Sequence, residues 1–252
     1  MIPNARRPPN CALATHEARG YPIDMADFVL VHGGAHAGWC WDRLIPFLKA
    51  DPRVETVLAV DLPGHGTREG SIPEDEIGIE DYVAAVVGDI EAADLRDIVL
   101  VGHSMAGVTI PHVGHRLPER LQRLVYLTTT NPAIGQCIND SMAHPLSPIS
   151  RGVDVTKAFC SDLNAETSEW LLSHLGPQPP GPLTERISVV AGPDEIPASY
   201  ILCEKDEVLP AALQAEEAKR LAVDEVLRFD SGHSPFASQP EALAKLLLGM
   251  IR

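Results

Sequence analysis

Ile98-Val99-Leu100-Val101-Gly102-His103-Ser104-Met105-Ala106-Gly107 is the stretch that decides how this chain folds. Four consecutive β-favouring apolar residues read as a strand buried on both faces. The run passes straight into small residues around a serine, and an apolar stretch of helical character follows. Strand, tight turn and helix in that order lift a serine hydroxyl off the end of a sheet and aim a helix N-terminus at it. The turn demands small residues beside the serine. Gly102 meets that demand, Ala106 departs from the usual glycine by one methyl group, and Gly107 follows it. Without chemistry, Ser104 would be an ordinary helix N-cap.

Outward from this stretch, five further runs carry the strand signature: Phe28-Val29-Leu30-Val31, Val57-Leu58-Ala59-Val60, Leu124-Val125-Tyr126-Leu127, Tyr200-Ile201-Leu202 and Val226-Leu227-Arg228-Phe229. Helical periodicity lies between them. Val83, Val86, Val87 and Ile90 form one apolar stripe, and Leu243, Leu246, Leu247 and Met250 form another near the C-terminus. This alternation predicts an α/β fold, a mostly parallel central sheet flanked by helices. Asn131 to Pro197 breaks the rhythm with nine of the chain's 22 prolines and one amphipathic helix expected at about Lys157 to Leu175. A long excursion between two core strands reads as an inserted lid. The expected organisation is a flexible leader over 1–25, a core over 26–130 and 198–252, and a lid over 131–197.

A chain of 252 residues makes one domain with a large core. Apolar residues at 45% and charged residues at 22% exclude a disordered chain, a fibrous repeat and a coiled coil. The formal net charge of -15 argues against nucleic acids and anionic membranes as partners and leaves a neutral small molecule unaffected. No apolar run approaches the ~18–20 residues of a membrane span. Arg6 and Arg7 are followed by no apolar segment, so Met1 to Tyr21 does not read as a signal peptide. Five cysteines, an odd number with no CxxC, argue against a disulfide framework and a zinc site and for a reducing, cytoplasmic setting. No phosphate-binding glycine motif is present, so no nucleotide cofactor is implied. His112 and His115 have the spacing of helical metal ligands but no third partner, and they read as packing or solvated residues. No metal is expected, and a homodimer is compatible with the composition.

A serine nucleophile needs a base, and the base needs a carboxylate to orient it. On this fold the chain order is serine, acid, histidine. His233, in Asp230-Ser231-Gly232-His233-Ser234, follows the last strand. The acid belongs in Cys203-Glu204-Lys205-Asp206-Glu207, where Asp206 sits at the loop tip and Glu204 and Glu207 read as solvated. The loop after the preceding strand, Thr128-Thr129-Thr130-Asn131, carries no carboxylate, which supports Asp206. An oxyanion needs donors, and these are expected from the backbone N–H of Met105 and of Gly34 in His32-Gly33-Gly34-Ala35-His36. Gly33, His36 and Trp39 are candidate pocket residues. His32 and His36 are expected to shape the loop by hydrogen bonds, and His103 to pack behind the serine.

Taken together, Val29-Leu30-Val31-His32-Gly33-Gly34, Asp61-Leu62-Pro63-Gly64-His65-Gly66, Gly102-His103-Ser104-Met105 and Asp230-Ser231-Gly232-His233 resemble the α/β-hydrolase superfamily over about residues 26–252. Within it, His36-Ala37-Gly38-Trp39-Cys40-Trp41 and Lys205-Asp206-Glu207 resemble the plant methylesterase and hydroxynitrile lyase group with its bacterial esterase relatives. The lyases of that pattern carry Thr in place of Gly33 and Lys in place of Ser234, so the resemblance implies the esterase branch. It implies a serine carboxylesterase acting on a small, neutral or weakly polar ester, including an aryl one, through an acyl-enzyme and without metal or organic cofactor. The competing readings are a carbon–carbon bond hydrolase, a thioesterase or cyclase, a lipase, and a small-molecule receptor on a hydrolase scaffold.

Overall fold

The computed structural model describes residues 25–251. The expected leader therefore lies outside the described residues but for Met25. Six strands form one all-parallel sheet: β1 (Ala26–Val31), β2 (Val54–Val60), β3 (Ile98–His103), β4 (Leu121–Leu127), β5 (Ala198–Cys203) and β6 (Glu225–Phe229). Their order is β2-β1-β3-β4-β5-β6. The helices are α1 (Ile45–Lys49), α2 (Ile79–Ala92), α3 (Ile110–Arg116), α4 (Ile138–Met142), α5 (Val155–Phe159), α6 (Ala165–His174), α7 (Gly181–Thr184), α8 (Ala211–Leu221), α9 (Pro235–Ser238) and α10 (Pro240–Leu248).

The strand period of two splits the core into two layers. Val29, Val31, Leu100, Leu124, Tyr126 and Tyr200 face one side, where they pack with Tyr82, Val83, Val86 and Ile90 of α2 and with Ile110 and Val113 of α3. Phe28, Leu30, Val99, Val101, Val125 and Ile201 face the other, with Trp41, Leu48 of α1, Phe236 of α9, and Leu243 and Leu247 of α10. Every residue of β1 and β3 is buried. The outer strands depart from the expected burial on both faces. Val226 of β6 is 48% exposed, because an edge strand has cover on fewer sides.

The expected single helix over about 157–175 is two helices, α5 and α6. Cys160 N–H bonds back to Lys157 and ends the first. The Asn164 side chain then accepts Thr167 N–H at 2.8 Å and starts the second as an N-cap. The segment from Thr128 to Pro197 carries α4 to α7 before the chain re-enters the sheet as β5, and it is bonded to the loops that follow β1 and β6.

Strand order places the chemistry. The chain leaves β1 toward β2 on one side and returns to β3 on the other. The loops after β1 and β3 therefore diverge and leave a crevice at their carboxyl ends.

Candidate active site

Ser104 sits at the carboxyl end of β3, half-buried, with φ at +52°. A left-handed backbone is costly for a serine and is tolerated where the surroundings hold it. Met105 follows in a short 3₁₀ turn, Ser104–Val108, which leads to α3. Pro111 in the first turn of α3 removes an N–H that would be unpaired there anyway.

His233 and Asp206 are brought together from the loops after β6 and β5. His233 Nδ1–H donates to Asp206 Oδ2 at 2.7 Å, and His233 Nε2 lies 3.0 Å from Ser104 Oγ. Both side chains of the histidine–aspartate pair are fully buried. Because the carboxylate can only accept, Nδ1 carries the ring proton and Nε2 turns its lone pair to the serine. Four donors converge on Asp206. Oδ1 accepts Val208 N–H at 2.7 Å and Leu209 N–H at 2.9 Å, and Oδ2 accepts Thr128 Oγ1–H at 2.5 Å besides the histidine. Glu204 instead pairs with Arg228 at the surface, and Glu207 is exposed. Thr128 was legible only as the place of a missing carboxylate. It supplies the hydroxyl that steadies the carboxylate one strand away.

The loop after β1 lies against the serine. A Cβ on Gly33 would fall 2.7 Å from Ser104 Cβ and 2.9 Å from His103 Nδ1, so only glycine fits there. A Cβ on Gly34 would lie 3.7 Å from Met105 Sδ, which sets the two expected donor residues side by side. The two loop histidines shape this turn. His32 Nδ1–H donates to Gly33 O at 2.8 Å while its Nε2 accepts Leu62 N–H at 3.1 Å. His36 Nδ1–H donates to Gly34 O at 2.7 Å. Burial drives both rings toward the neutral form, His32 down to about 3 and His36 down to about 4. His103 packs behind the serine, donates Nε2–H to His233 O at 2.8 Å, and is pushed well below the ordinary histidine range by burial. Trp41 is fully buried core. Trp39 is half-buried and stacks on His36, with ring centroids 5.5 Å apart.

Residues of the insertion, unmarked in the sequence reading, close on the histidine loop. The Phe159 ring stacks on His233, with centroids 5.4 Å apart at 16°, and Phe159 O accepts Ser234 Oγ–H at 2.8 Å. Asp162 Oδ2 accepts Gly232 N–H at 2.7 Å. His115 donates Nε2–H to Ala191 O at 3.0 Å.

The family model described as "Alpha/beta hydrolase family" matches residues 28–246. The chain belongs to that family. Among curated relatives, this hydrolase is 34% identical over 168 residues to a carbendazim hydrolyzing esterase of Nocardioides sp. (strain SG-4G), covering 66% of this chain and 64% of that protein. It is 27% identical over 252 residues to methylesterase 9 of Arabidopsis thaliana, covering 89% of this chain and 97% of that one. The hydrolase thus spans less than two thirds of the length of the first of these relatives. The crystal structure of a pyrethroid hydrolase from Sphingobium faniae JZ-2 superposes with a TM-score of 0.70 at 25% identity, covering 89% of this chain and 96% of that chain. Among the described residues of the hydrolase, no helix is long and apolar enough to cross a membrane.

Proposed function

We propose that this hydrolase is a serine carboxylesterase with Ser104 as nucleophile, His233 as base and acid, and Asp206 as the group that orients the imidazole. One observation carries the reading: Asp206, His233 and Ser104 stand in one line of hydrogen-bonding contacts of 2.7 and 3.0 Å. His233 Nε2 takes the hydroxyl proton as Ser104 Oγ attacks the ester carbonyl. The imidazolium is steadied by Asp206 and returns the proton to the leaving alcohol. Water then attacks the acyl-enzyme along the same route. Gly34 N–H and Met105 N–H serve as the oxyanion donors, each worth about 3 kcal/mol in the transition state.

The substrate class is a small, neutral or weakly polar ester. The named activities of the relatives, toward carbendazim, methyl esters and pyrethroids, support it. Phe159 on the face of His233, with Trp39 and His36 beside it, favours an aryl group near the reacting carbon. The 131–197 segment acts as the lid that sets substrate choice. A threonine in place of Gly33 would strike Ser104, and Ser234 supplies no cation, so cyanohydrin lyase chemistry is disfavoured. A cytoplasmic setting is supported by Cys40, Cys137, Cys160 and Cys203, all free thiols.

The test is labelling with an aryl fluorophosphonate followed by peptide mass analysis. A single adduct on Ser104, lost in His233→Ala, is expected. An adduct elsewhere, or none, contradicts the assignment.

A further inference from the structure

The insertion touches the catalytic machinery at a second point, away from the histidine. Gly176 N–H donates to Ala35 O at 2.9 Å, and Gln178 Oε1 accepts Ala35 N–H at 3.1 Å. Both backbone polar groups of Ala35 are thus held by one short strap of the insertion. Ala35 is not glycine, yet its φ is +60°, a conformation that persists only where neighbours fix it.

Consider the Gly34–Ala35 peptide group. Its carbonyl accepts from His36 Nδ1–H at 2.7 Å, and its N–H goes to Gln178. A planar peptide pinned at both ends cannot turn. The next peptide back, Gly33–Gly34, carries the N–H assigned to the oxyanion. Its carbonyl is held by His32, so its N–H must point the opposite way. Two glycines in succession have no side chains to limit rotation, so the external bonds do that work.

The Gln178 amide is itself fully engaged. Nε2–H donates to Pro179 O at 2.9 Å and to Tyr82 Oη at 3.3 Å. Exchanging the amide's oxygen and nitrogen would set donor against donor at Ala35 and acceptor against acceptor at Pro179, so the orientation is fixed by its neighbours. His65 Nε2 stands 3.3 Å from the same Oε1. A Cβ on Gly34 would lie 3.1 Å from Oε1, so the amide is packed directly against the oxyanion loop.

We propose that Gln178 is a positioning residue: it reaches from the insertion to lock the Gly34–Ala35 peptide on one side of Gly34 while His32 holds the Gly33–Gly34 peptide on the other, and the two together keep the Gly34 N–H in its oxyanion-binding orientation. The inference rests on the oxyanion reading given above. It separates the strap's anchoring from its catalytic effect. The strap is also held by Gly176 on Ala35, by Pro179 seated against Gly64, and by Glu185 Oε2 accepting Ile79 N–H at 2.8 Å. Removing the Gln178 amide therefore leaves the strap attached while releasing the N–H end of the peptide, whose carbonyl stays on His36.

The experiment compares wild type, Gln178→Ala and Gln178→Glu in hydrolysis of p-nitrophenyl acetate and in inhibition by an aryl trifluoromethyl ketone, which forms a tetrahedral adduct on serine. Gln178→Ala should lower kcat by about 10–50-fold with KM within about twofold, the signature of a bond made only in the transition state. Ketone inhibition should weaken by the same factor, while binding of the product-like p-nitrophenol is unchanged. Gln178→Glu keeps an acceptor oxygen for Ala35 N–H but sets its second oxygen against Pro179 O, so it should recover part of the loss. Thermal melts report whether each variant is folded. Should the alanine variant unfold, the folded glutamate variant and Gln178→Met, similar in size but without the amide, carry the comparison. Unchanged kcat in a folded variant lacking the amide overturns the proposal, as does a rise in KM alone or a loss of kcat without weaker ketone binding. A wild type that neither hydrolyses ester nor takes the fluorophosphonate label overturns the functional reading, and this inference with it.

Discussion

Thr128 and Gly33 show how single residues set this site. Thr128 Oγ1–H, 2.5 Å from Asp206 Oδ2, is a buried hydrogen bond to a charged acceptor. Such bonds contribute about 1.5–3 kcal/mol. Thr128→Val keeps the branched shape and removes the donor, so kcat should fall about tenfold while the fold is retained; steady-state kinetics and a thermal melt check both halves. Gly33→Thr would add a side chain where Ser104 Cβ already stands 2.7 Å from the first added atom. That variant should lose about 1–3 kcal/mol of stability and most ester turnover, and it should gain no cyanohydrin cleavage. The three residues of the proposed triad each sit next to a local signal in the sequence: small residues around Ser104, a glycine before His233, and a loop tip ahead of Pro210 for Asp206. Thr128 and Gln178 carry no such signal. Their roles depend on which strand ends and which strap become neighbours, and that is decided by strand order and by the path of the insertion.

At the scale of elements, the segment between β4 and β5 is bonded to two of the loops that carry the proposed site. It holds the His233 loop through Asp162 and Phe159 and the loop after β1 through Gly176 and Gln178. Asp162→Ala frees Gly232 N–H beside the base, and kcat/KM should drop about tenfold with an unfolding temperature only slightly lowered, because the lost bond lies at a half-buried position. An unchanged kcat/KM would make that contact dispensable. All six strands carry apolar runs; the four inner ones are largely buried and tolerate few polar residues, while the edge strands β2 and β6 keep their runs with partial exposure. The insertion was read less well. A continuous amphipathic pattern suggested one helix over about 157–175, whereas Asn164 acts as an N-cap and divides it. The division matters, since it frees Asp162 to reach the histidine loop.

Over the whole molecule, burial of titratable groups sets the response to pH. His32 and His36 are held near 3 and 4, and His103 and His65 also lie below the ordinary histidine value of 6.5. Unfolding returns them to about 6.5. Below that pH the unfolded chain binds more protons than the folded one, so stability falls as pH drops. Glu217 acts in the opposite sense. It accepts Asn131 N–H and pairs with Arg220, yet burial pushes its carboxyl from 4.5 up to about 7, so its contribution is lost as pH rises through that interval. Asp27 and Asp42, raised by burial, add smaller opposing contributions. The four histidines outweigh them between pH 5 and 7. Urea unfolding should give a free energy lower at pH 5 than at pH 7 by at least about 1 kcal/mol, and Glu217→Gln should steepen that difference. Equal stability at the two pH values would contradict this assignment of neutral buried histidines.

The proposed activity turns on Ser104 as the nucleophile of an ester hydrolase. Its most direct test is hydrolysis of a short-chain aryl ester by wild type and by Ser104→Ala at equal folded concentration. Ready turnover by wild type and a loss of about 10³-fold or more in the variant are expected. Turnover that survives the substitution, or a folded wild type inert to short-chain and aryl esters alike, would contradict it.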